Sequence, residues 1–313
     1  MNNHRVLITE VAELFGYNNP QVDIELDATL ATRPDDLIQR AAKKDAVVVR
    51  NVTKVHAALI ERLKDSTSVR MIGRLGAGLD NIDVAAARKA GLAVVYAPDS
   101  NTESVAQFVL GQILQATRHL SNAHRSTASG QWNRLSFVGR ELSELTVGIV
   151  GFGRIGARLA TILSPFGTRI LVSTEFPESV PASYSTVSLT DLFSTADVIS
   201  IHVPLTPSTR GFIGQQLLQL LPQHAVLVNS SRGEVVQETE LEAFLRSRPD
   251  VTAVLDVRCE EPPKNELFRD LPNVCLSPHI AAFTSAAQKQ VLFTVLNDVE
   301  RVLSGGAPLW PAP

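Results

Sequence analysis

The apolar positions of the chain fall into short β-branched runs separated by segments with helical periodicity. The first series of runs is Val6–Ile8, Ala46–Val49, Met71–Gly73 and Ala93–Tyr96, and the second is Thr146–Gly151, Arg169–Val172, Asp197–Val203, Ala225–Ser230, Val251–Val257 and Asn273–Ser277. Continuous apolar runs of this length predict buried parallel strands, because such strands are covered on both faces. Their alternation with helical segments predicts parallel α/β sheets with helices packed on the faces.

Two longer segments carry apolar stripes at helical spacing. One follows Asn101, a suitable N-cap, and the other is closed by Gly305 and Gly306. The stripes are Val105, Phe108, Val109, Ile113 and Leu114 in the first helix and Leu292, Val295, Leu296, Val299, Val302 and Leu303 in the second. We interpret both helices as connectors between two domains, which a chain of 313 residues is long enough to form. The second helix is expected to return the chain to the first domain.

Composition and charge narrow the class of function. The net charge of -3 argues against nucleic acid as the main partner, because phosphate binding needs a basic face. No apolar run reaches the ~18 residues of a membrane span, and no signal-peptide pattern precedes the first strand. Cys259 and Cys275 form neither a disulfide framework nor a metal-ligand pattern. We therefore expect a cytoplasmic protein with no metal site and no membrane partner.

The strongest local motif is a glycine-rich turn between a strand and a helix. It runs from Gly151 through Gly153, Arg154 and Ile155 to Gly156. The first glycine permits a tight turn, the second lets the backbone approach a pyrophosphate, and the third lets the helix pack closely on the strand. The N–H groups that open the helix then face the phosphates. The motif predicts a site for a dinucleotide.

The residue at the end of the next strand should select the cofactor. An acidic residue there binds the adenine ribose and favours NAD, but Thr174 occupies the position and Glu175 follows it. Thr174 removes the charge that would repel a 2′-phosphate, yet no arginine follows to attract one. The sequence slightly favours NAD and leaves NADP open.

Eight segments together resemble the D-isomer-specific 2-hydroxyacid dehydrogenases, the family of phosphoglycerate dehydrogenase and glyoxylate/hydroxypyruvate reductase. They are VVVRNVTKV, GRLGAGLDNIDV, NTESVAQFVLGQIL, GIVGFGRIG, HVPLTPSTRGFI, LVNSSRGEVV, VLDVRCEEPP and LSPHIAAFTS, in the order typical of the family. The resemblance covers nearly the whole chain. It implies two Rossmann-like domains: a flavodoxin-like substrate-binding domain, residues 1–100 plus 284–313, and an inserted, doubly wound NAD(P)-binding domain, residues 101–283.

Three residues match the family's catalytic positions: Arg232, Glu261 and His279. Each follows a strand of the second series, at the carboxyl edge where open α/β sheets bind ligands. An arginine can hold a carboxylate with two hydrogen bonds, a histidine titrates near neutrality, and a nearby carboxylate stabilises the charged imidazole. Glu260 is the rival acid, but the family pattern places the acid directly before the proline and selects Glu261. Arg232 and His279 are expected to contact both substrate and cofactor.

The resemblance assigns further residues to the two ligands. By that resemblance, Asp256 is expected to bind the nicotinamide carboxamide. Ser230, Ser231 and the loop from Pro204 to Thr209 are expected to line the cofactor. In the first domain, the backbone of the LGAG segment is expected to bind the substrate carboxylate, and Arg50 to reach an anionic substrate. That segment is Leu75, Gly76, Ala77 and Gly78.

The resulting functional hypothesis is a reductase for a small 2-keto acid such as glyoxylate or hydroxypyruvate. Phosphoglycerate dehydrogenase is the alternative, which Val52 weakens because phosphoglycerate-specific members tend to carry a second arginine there. Leu75, bulky for its position, suggests an apolar pocket floor, and we expect no regulatory domain after Pro313. A different class, an NAD(H)-sensing corepressor, shares the fold. The resemblance also predicts a homodimer built on the cofactor domain and its helix near Thr102–His119.

Overall fold

The computed structural model describes residues 3–313. The chain divides into two compact units: unit 1 runs to Asn101 and includes Thr284–Pro313, and unit 2 is Thr102–Phe283. The strands are β1 (His4–Ile8), β2 (Val22–Leu26), β3 (Ala46–Val49), β4 (Met71–Arg74), β5 (Ala93–Val95), β6 (Thr146–Val150), β7 (Arg169–Ser173), β8 (Ser185–Thr186), β9 (Val198–Ile201), β10 (Val226–Asn229), β11 (Thr252–Leu255) and β12 (Val274–Leu276). The α-helices are α1 (Pro34–Ala41), α2 (Ala57–Ser66), α3 (Val84–Lys89), α4 (Thr102–Thr117), α5 (Leu120–Ala128), α6 (Arg154–Leu163), α7 (Leu189–Thr195), α8 (Gln215–Leu218), α9 (Glu238–Ser247) and α10 (Ser285–Leu303).

Unit 1 is a parallel sheet in the order β2-β1-β3-β4-β5, the flavodoxin-like order. Helices α1 and α2 cover one face, where Leu37 and Ile60 are fully buried. The apolar stripe of α10 covers the other face with Val295 and Val299. The helix packs so closely that a Cβ on Gly73 would lie 2.8 Å from the Val295 Cγ1 atom. The long C-terminal helix therefore belongs to the core of this unit.

Unit 2 is a parallel sheet in the order β12-β11-β10-β9-β6-β7-β8. Helices α4 and α6 cover one face, where Ile113 and Leu163 are fully buried. Helices α7 and α9 cover the other, with Phe193 and Leu241 in its core. The strand order reverses between β6 and β9, and such a switch point opens a crevice at the carboxyl ends of the two strands. The glycine-rich turn follows β6 at this point.

Helix α4 ends at Thr117, within the segment Thr102–His119 that the sequence assigned to one helix. His119 adopts a left-handed backbone with φ of 54°, which ends α4 and redirects the chain into α5. The stripe on α4 packs into the core of unit 2 through Val105, Val109 and Ile113. Helix α5 buries none of its residues within the chain.

The predicted α/β class with parallel sheets is confirmed, and the differences lie at strand ends and edges. Gly151 was predicted to end a strand, but its φ of +91° places it in the turn after β6. The edge strands β2 and β8 were missed. Strand β2 alternates apolar residues with Asp23 and Glu25, and β8 has only two residues, both exposed. Within residues 3–313, no helix has both the length and the apolar character needed to cross a membrane.

Candidate active site

Three neighbouring strands of unit 2 bring the predicted catalytic residues to one edge of the sheet. Strands β10, β11 and β12 are adjacent and parallel, so their carboxyl ends lie together. Arg232 follows β10, Glu261 follows β11, and His279 follows β12. Residues that are far apart in the sequence therefore come to the same edge of the sheet.

The imidazole of His279 and the carboxylate of Glu261 are in direct contact. His279 Nδ1 lies 2.7 Å from Glu261 Oε2, and the two side chains are 40% and 33% exposed, so the pair remains accessible to a ligand. The other carboxylate oxygen accepts a hydrogen bond from the backbone N–H of Arg258 at 3.1 Å. Glu260 forms an ion pair with Lys264 instead. The structure thus pairs the imidazole with Glu261 and not with Glu260.

The environment of Glu261 favours its charged form. Burial acts to raise the pKa of this carboxyl, but the hydrogen bond and charge of His279, the Arg258 N–H and the charge of Arg232 offset it. The net result is a pKa below the usual range for glutamate. The carboxylate therefore stays ionised beside the imidazole at neutral pH.

The backbone at His279 is held by Asp256 from the neighbouring strand end. Asp256 is 1% exposed, and its carboxylate accepts hydrogen bonds from Ser277 Oγ at 2.5 Å, Ile280 N–H at 2.9 Å and Ala281 N–H at 2.8 Å. The Asp256 carbonyl accepts the N–H of His279 at 2.8 Å. His279 has a left-handed φ of 54°, and these bonds offset the strain of that conformation. Contact of Asp256 with a nicotinamide carboxamide stays a prediction.

The loop that carries Arg232 is fixed by hydrogen bonds within the segment NSSR, residues 229–232. The Asn229 side chain donates to the carbonyl of Arg232 at 2.9 Å and accepts from the N–H and hydroxyl of Ser231. The Arg232 guanidinium donates from Nη1 to the Ser231 carbonyl at 2.7 Å. Ser230 Oγ is buried and, among the described residues, has no hydrogen-bond partner. The loop therefore presents a guanidinium and an unsatisfied hydroxyl beside the strand end.

The glycine-rich turn has the geometry that a dinucleotide requires. A side chain on Gly151 is disfavoured by its φ of +91° and would meet Val203 Cγ1 at 2.9 Å. A Cβ on Gly156 would lie 2.4 Å from the Gly151 carbonyl oxygen, so helix and turn pack in contact there. Gly153 faces no atom within 4 Å, and Arg154 next to it is exposed at the start of α6. The backbone at Gly153 is thus uncovered at the start of α6, and binding of a pyrophosphate there stays a prediction.

The other predicted cofactor residues occupy the same edge of unit 2. Thr174 follows β7, and its hydroxyl accepts the N–H of Phe176 at 3.2 Å, while Glu175 is exposed. In the loop after β9, Thr209 Oγ1 donates to the carbonyl of Pro204 at 2.6 Å. Contacts of these residues with a cofactor stay predictions.

His202 directly follows β9, close to Gly151 of the glycine-rich turn, and takes no part in the pair at His279. Burial lowers the pKa of His202 to about 4, so the ring is neutral at physiological pH. Its Nε2 lies 2.8 Å from Ser200 Oγ. Both features favour a structural role for this histidine.

In unit 1, the predicted substrate residues follow the adjacent strands β3 and β4. The Glu10 carboxylate accepts the consecutive backbone N–H groups of residues 50–53, at 2.8, 3.1, 2.9 and 2.9 Å. Burial acts to raise the pKa of Glu10, but these hydrogen bonds outweigh it and hold the pKa below its usual range. The guanidinium of Arg50 donates to the Gln288 side chain. Arg50 is therefore carried by a fixed loop.

The LGAG segment differs from the expectation of an apolar floor. The side chain of Leu75 is buried in the core beneath α10, so this residue presents its backbone at the sheet edge. Gly76 adopts φ of +148°, and a Cβ there would overlap the guanidinium of Arg74. The role of Leu75, Gly76, Ala77 and Gly78 in substrate binding stays a prediction.

Sequence reasoning missed three residues that shape this site: Gly233, Glu238 and Arg258. A Cβ on Gly233 would lie 2.0 Å from the carbonyl carbon of Arg258, so the loop after Arg232 packs directly on the loop before Glu261. Glu238 and Arg258 form a buried ion pair at the same place. The glycine directly after Arg232 was the available signal, but the burial of the two charges could not be read from the sequence.

Comparison with known proteins identifies the kind of domain that unit 2 forms. The family model for the D-isomer specific 2-hydroxyacid dehydrogenase NAD binding domain matches residues 110–281. This match confirms the prediction of an NAD(P) cofactor.

Among the residues that the structure describes, no cluster of histidine, cysteine and carboxylate groups could hold a metal ion.

Curated relatives and solved structures cover almost the whole chain. Hydroxypyruvate reductase of Thermotoga maritima is 38% identical over 86% of this chain and 88% of its own length. D-3-phosphoglycerate dehydrogenase of Methanocaldococcus jannaschii is 37% identical over 90% of this chain, which spans 54% of that relative. The chain thus covers about half the length of the phosphoglycerate dehydrogenases that it matches. The TT0316 protein of Thermus thermophilus has a TM-score of 0.90 and 28% identity, over 99% of this chain and 100% of its own.

The contact at Gly156 leads to a stability prediction. Gly156→Ala places a methyl group against the Gly151 carbonyl and should lower the free energy of unfolding by about 1–3 kcal/mol, despite the ~1 kcal/mol gain in helix propensity. Gly153→Ser is the matched control, since it faces open space and serine is a good N-cap, so its stability should be unchanged or slightly higher. Urea denaturation of both variants measures the difference, and equal stability of the two would contradict the close packing.

Proposed function

The chain belongs to the D-isomer specific 2-hydroxyacid dehydrogenase family, and from this premise we propose that it is an NAD(P)-dependent oxidoreductase that interconverts a small 2-keto acid and its D-2-hydroxy acid. The observation that carries the proposal is the 2.7 Å contact between His279 Nδ1 and Glu261 Oε2. This pair lies at the same sheet edge as Arg232. An acid/base group, its partner carboxylate and a carboxylate-binding cation are the protein groups that the reaction requires.

His279 is the proposed acid and base. Its Nδ1 faces Glu261, which leaves Nε2 to give a proton to the carbonyl oxygen in reduction and to take it from the alcohol in oxidation. Glu261 orients the ring and stabilises the imidazolium form. The ionised state of Glu261 supports this role.

Arg232 is the proposed anchor for the substrate. A guanidinium can hold the carboxylate with two hydrogen bonds and polarise the neighbouring carbonyl. The Asn229 side chain holds the Arg232 backbone through its carbonyl, and the Arg232 guanidinium is held by the hydrogen bond that it donates to the Ser231 carbonyl. When bound, the nicotinamide cofactor supplies the hydride for reduction and accepts it in oxidation.

The two units divide the work in this proposal. Unit 2 binds the cofactor, with Gly151, Gly153 and Gly156 admitting the pyrophosphate at the start of α6. Unit 1 binds the substrate through Arg50 and the backbone of the LGAG segment. The match of residues 110–281 to the family's NAD binding domain supports the first assignment.

We propose glyoxylate or hydroxypyruvate as the type of substrate. The four consecutive N–H groups of residues 50–53 would suit a phosphate, but the Glu10 carboxylate already occupies them. Val52 also lacks the cationic side chain that a phosphate would require there. The relative from Thermotoga maritima supports the same choice. The relative from Methanocaldococcus jannaschii favours the alternative, phosphoglycerate dehydrogenase.

NAD is the proposed cofactor. The segment after β7 contains Glu175 and Glu178, and residues 174–180 include no lysine or arginine. A 2′-phosphate would therefore meet two negative charges with no cation from this segment.

A homodimer and a cytoplasmic location complete the proposal. Helix α5 and the segment after it leave four large apolar side chains exposed, with Leu135 at 91% and Trp132 at 78%, alongside Leu120 and Val138. Large apolar side chains exposed along one segment of the chain favour a role in a protein interface. A second copy of this chain is the proposed partner.

Replacing the acid/base residue tests the mechanism. His279→Gln should lower kcat for the best 2-keto acid by about 10²–10⁴-fold, because general acid–base catalysis contributes that much. His224→Gln is the matched control, since His224 is also a histidine with a left-handed backbone, at φ of 61°. Its kcat should stay at the wild-type value in steady-state assays. Unchanged turnover in His279→Gln would overturn the assignment.

A substrate and cofactor screen tests specificity. We expect kcat/KM for glyoxylate or hydroxypyruvate to exceed that for 3-phosphohydroxypyruvate, and NADH to be preferred to NADPH by at least about tenfold, which corresponds to ~1.4 kcal/mol. The reverse order of acids would support phosphoglycerate dehydrogenase. Binding of NADH without turnover of any acid would support the sensing protein of the corepressor class.

A charge in the exposed apolar cluster tests dimerisation. Leu135→Glu should convert a dimer into a monomer at micromolar concentration, because the carboxylate would be buried without a partner. Leu309→Glu is the matched control, since Leu309 is equally apolar and 64% exposed but lies in unit 1. Sedimentation velocity distinguishes the two species, and a monomeric wild type would refute the proposal.

A further inference from the structure

A buried ion pair joins the start of α9 to the loop after β11. Arg258 Nε donates to Glu238 Oε1 at 2.8 Å and Arg258 Nη2 donates to Glu238 Oε2 at 3.2 Å. Both side chains are only 8% exposed. The guanidinium also donates to Asn265 Oδ1 at 3.0 Å and lies 4.9 Å from the ring centre of Phe268. The pair is therefore enclosed and bidentate.

Stability alone does not account for such a pair. Removing two charges from water costs free energy that their attraction often fails to recover, and apolar replacements can be equally stable. We therefore consider whether this pair holds other groups in position. The backbone that the pair contacts shows which groups these are.

Glu238 holds the peptide between Arg258 and Cys259 as well as the guanidinium. Its Oε1 accepts the N–H of Cys259 at 2.9 Å. The preceding N–H, that of Arg258, donates to Glu261 Oε1. Glu238 thus fixes the peptide directly after the Arg258 N–H group, and that N–H group contacts Glu261, the proposed partner of His279.

The same peptide touches the loop of Arg232. Gly233 packs on it so closely that a Cβ would lie 2.0 Å from the Arg258 carbonyl carbon and 2.3 Å from the Cys259 nitrogen. Helix α9 begins a few residues later with Glu238. The ion pair thereby closes a short ring of contacts that includes the backbone after Arg232 and the backbone before Glu261.

We propose that Glu238 and Arg258 are positioning residues, which clamp the Arg258–Cys259 peptide against Gly233 and so hold Glu261 in contact with His279. This inference rests on the proposed function for its catalytic consequence. Its structural consequence, the state of the Glu261 carboxylate, can be measured without any substrate.

The proposal predicts how the Glu261 carboxylate responds when the clamp is removed. The charged groups that face it are His279 and Arg232, and its second oxygen relies on the Arg258 N–H. Loss of that N–H bond and of the His279 contact leaves burial as the dominant influence, so the pKa of Glu261 rises. The negative charge beside the imidazole is then lost at a higher pH than in the wild type.

The decisive variant is the double replacement Glu238→Leu with Arg258→Met. It removes both charges together, so no buried charge remains unpaired, and stability is expected to survive. The Glu261 carboxyl, observed by ¹³C NMR, should titrate at higher pH. The kcat for the best 2-keto acid should fall by about tenfold to a hundredfold, because the catalytic groups are then misplaced. The KM should change less. The acidic limb of the pH–kcat profile should move to higher pH.

A matched control comes from the opposite edge of the same sheet. Arg140 Nη2 donates to Asp197 Oδ1 at 2.7 Å, and Asp197 also accepts the backbone N–H of Thr146 at 2.8 Å. Asp197→Leu with Arg140→Met therefore removes an ion pair and a carboxylate–backbone hydrogen bond of the same kinds, at the amino ends of β6 and β9. Its thermal midpoint is expected to fall, but the Glu261 titration and kcat should match the wild type.

A milder variant tests the proposal if the double variant does not fold. Arg258→Lys keeps the charge but loses the bidentate hydrogen bond with Glu238. The pKa of Glu261 should therefore rise, but by less than in the double variant. A folded double variant, or a folded Arg258→Lys, with a wild-type Glu261 titration would overturn the proposal. If the wild type turns over no 2-keto acid, the proposed function fails, while the NMR titration still decides the positioning role.

Discussion

The parallel run of every strand in unit 2 is the constraint on which the candidate site depends. Because β10, β11 and β12 are adjacent and parallel, the residues after them emerge at one edge, although Arg232 and His279 lie far apart in the chain. The reversal of strand order between β6 and β9 places the glycine-rich turn at that same edge. The candidate cofactor residues and the candidate acid/base residues thus lie at one edge of a single parallel sheet, and the loops need only make local adjustments.

Those local adjustments are made by carboxylates that accept backbone N–H groups. Asp256 holds the segment around His279, Glu238 holds the peptide before Glu261, and Glu10 holds the loop of Arg50. A carboxylate makes strong, directional hydrogen bonds with such donors. Each of these loops is therefore tied to a neighbouring segment by its backbone. This explains how His279 keeps a left-handed backbone and how residues 50–53 become unavailable to a phosphate.

Sequence reasoning reached the class of fold, the position of most strands and the grouping of the three proposed catalytic residues. It did so because buried parallel strands have a clear apolar signature and because the glycine-rich turn requires glycine for steric reasons. It missed β2, an edge strand in which Asp23 and Glu25 alternate with apolar residues. It also extended β6 by one residue, to Gly151, which lies in the turn after the strand. It also interpreted Leu75 as part of a pocket, whereas its side chain fills the core under α10.

By itself, the sequence determined the local patterns: alternating strands and helices, a turn that only glycine can form, and an arginine, a glutamate and a histidine placed after strands. Only the tertiary structure decided that Asp256 holds the His279 segment and that Arg258 is buried against Glu238. The reason is physical. Strand and turn preferences act between residues close in the chain, while burial and ion pairing depend on which distant segments pack together.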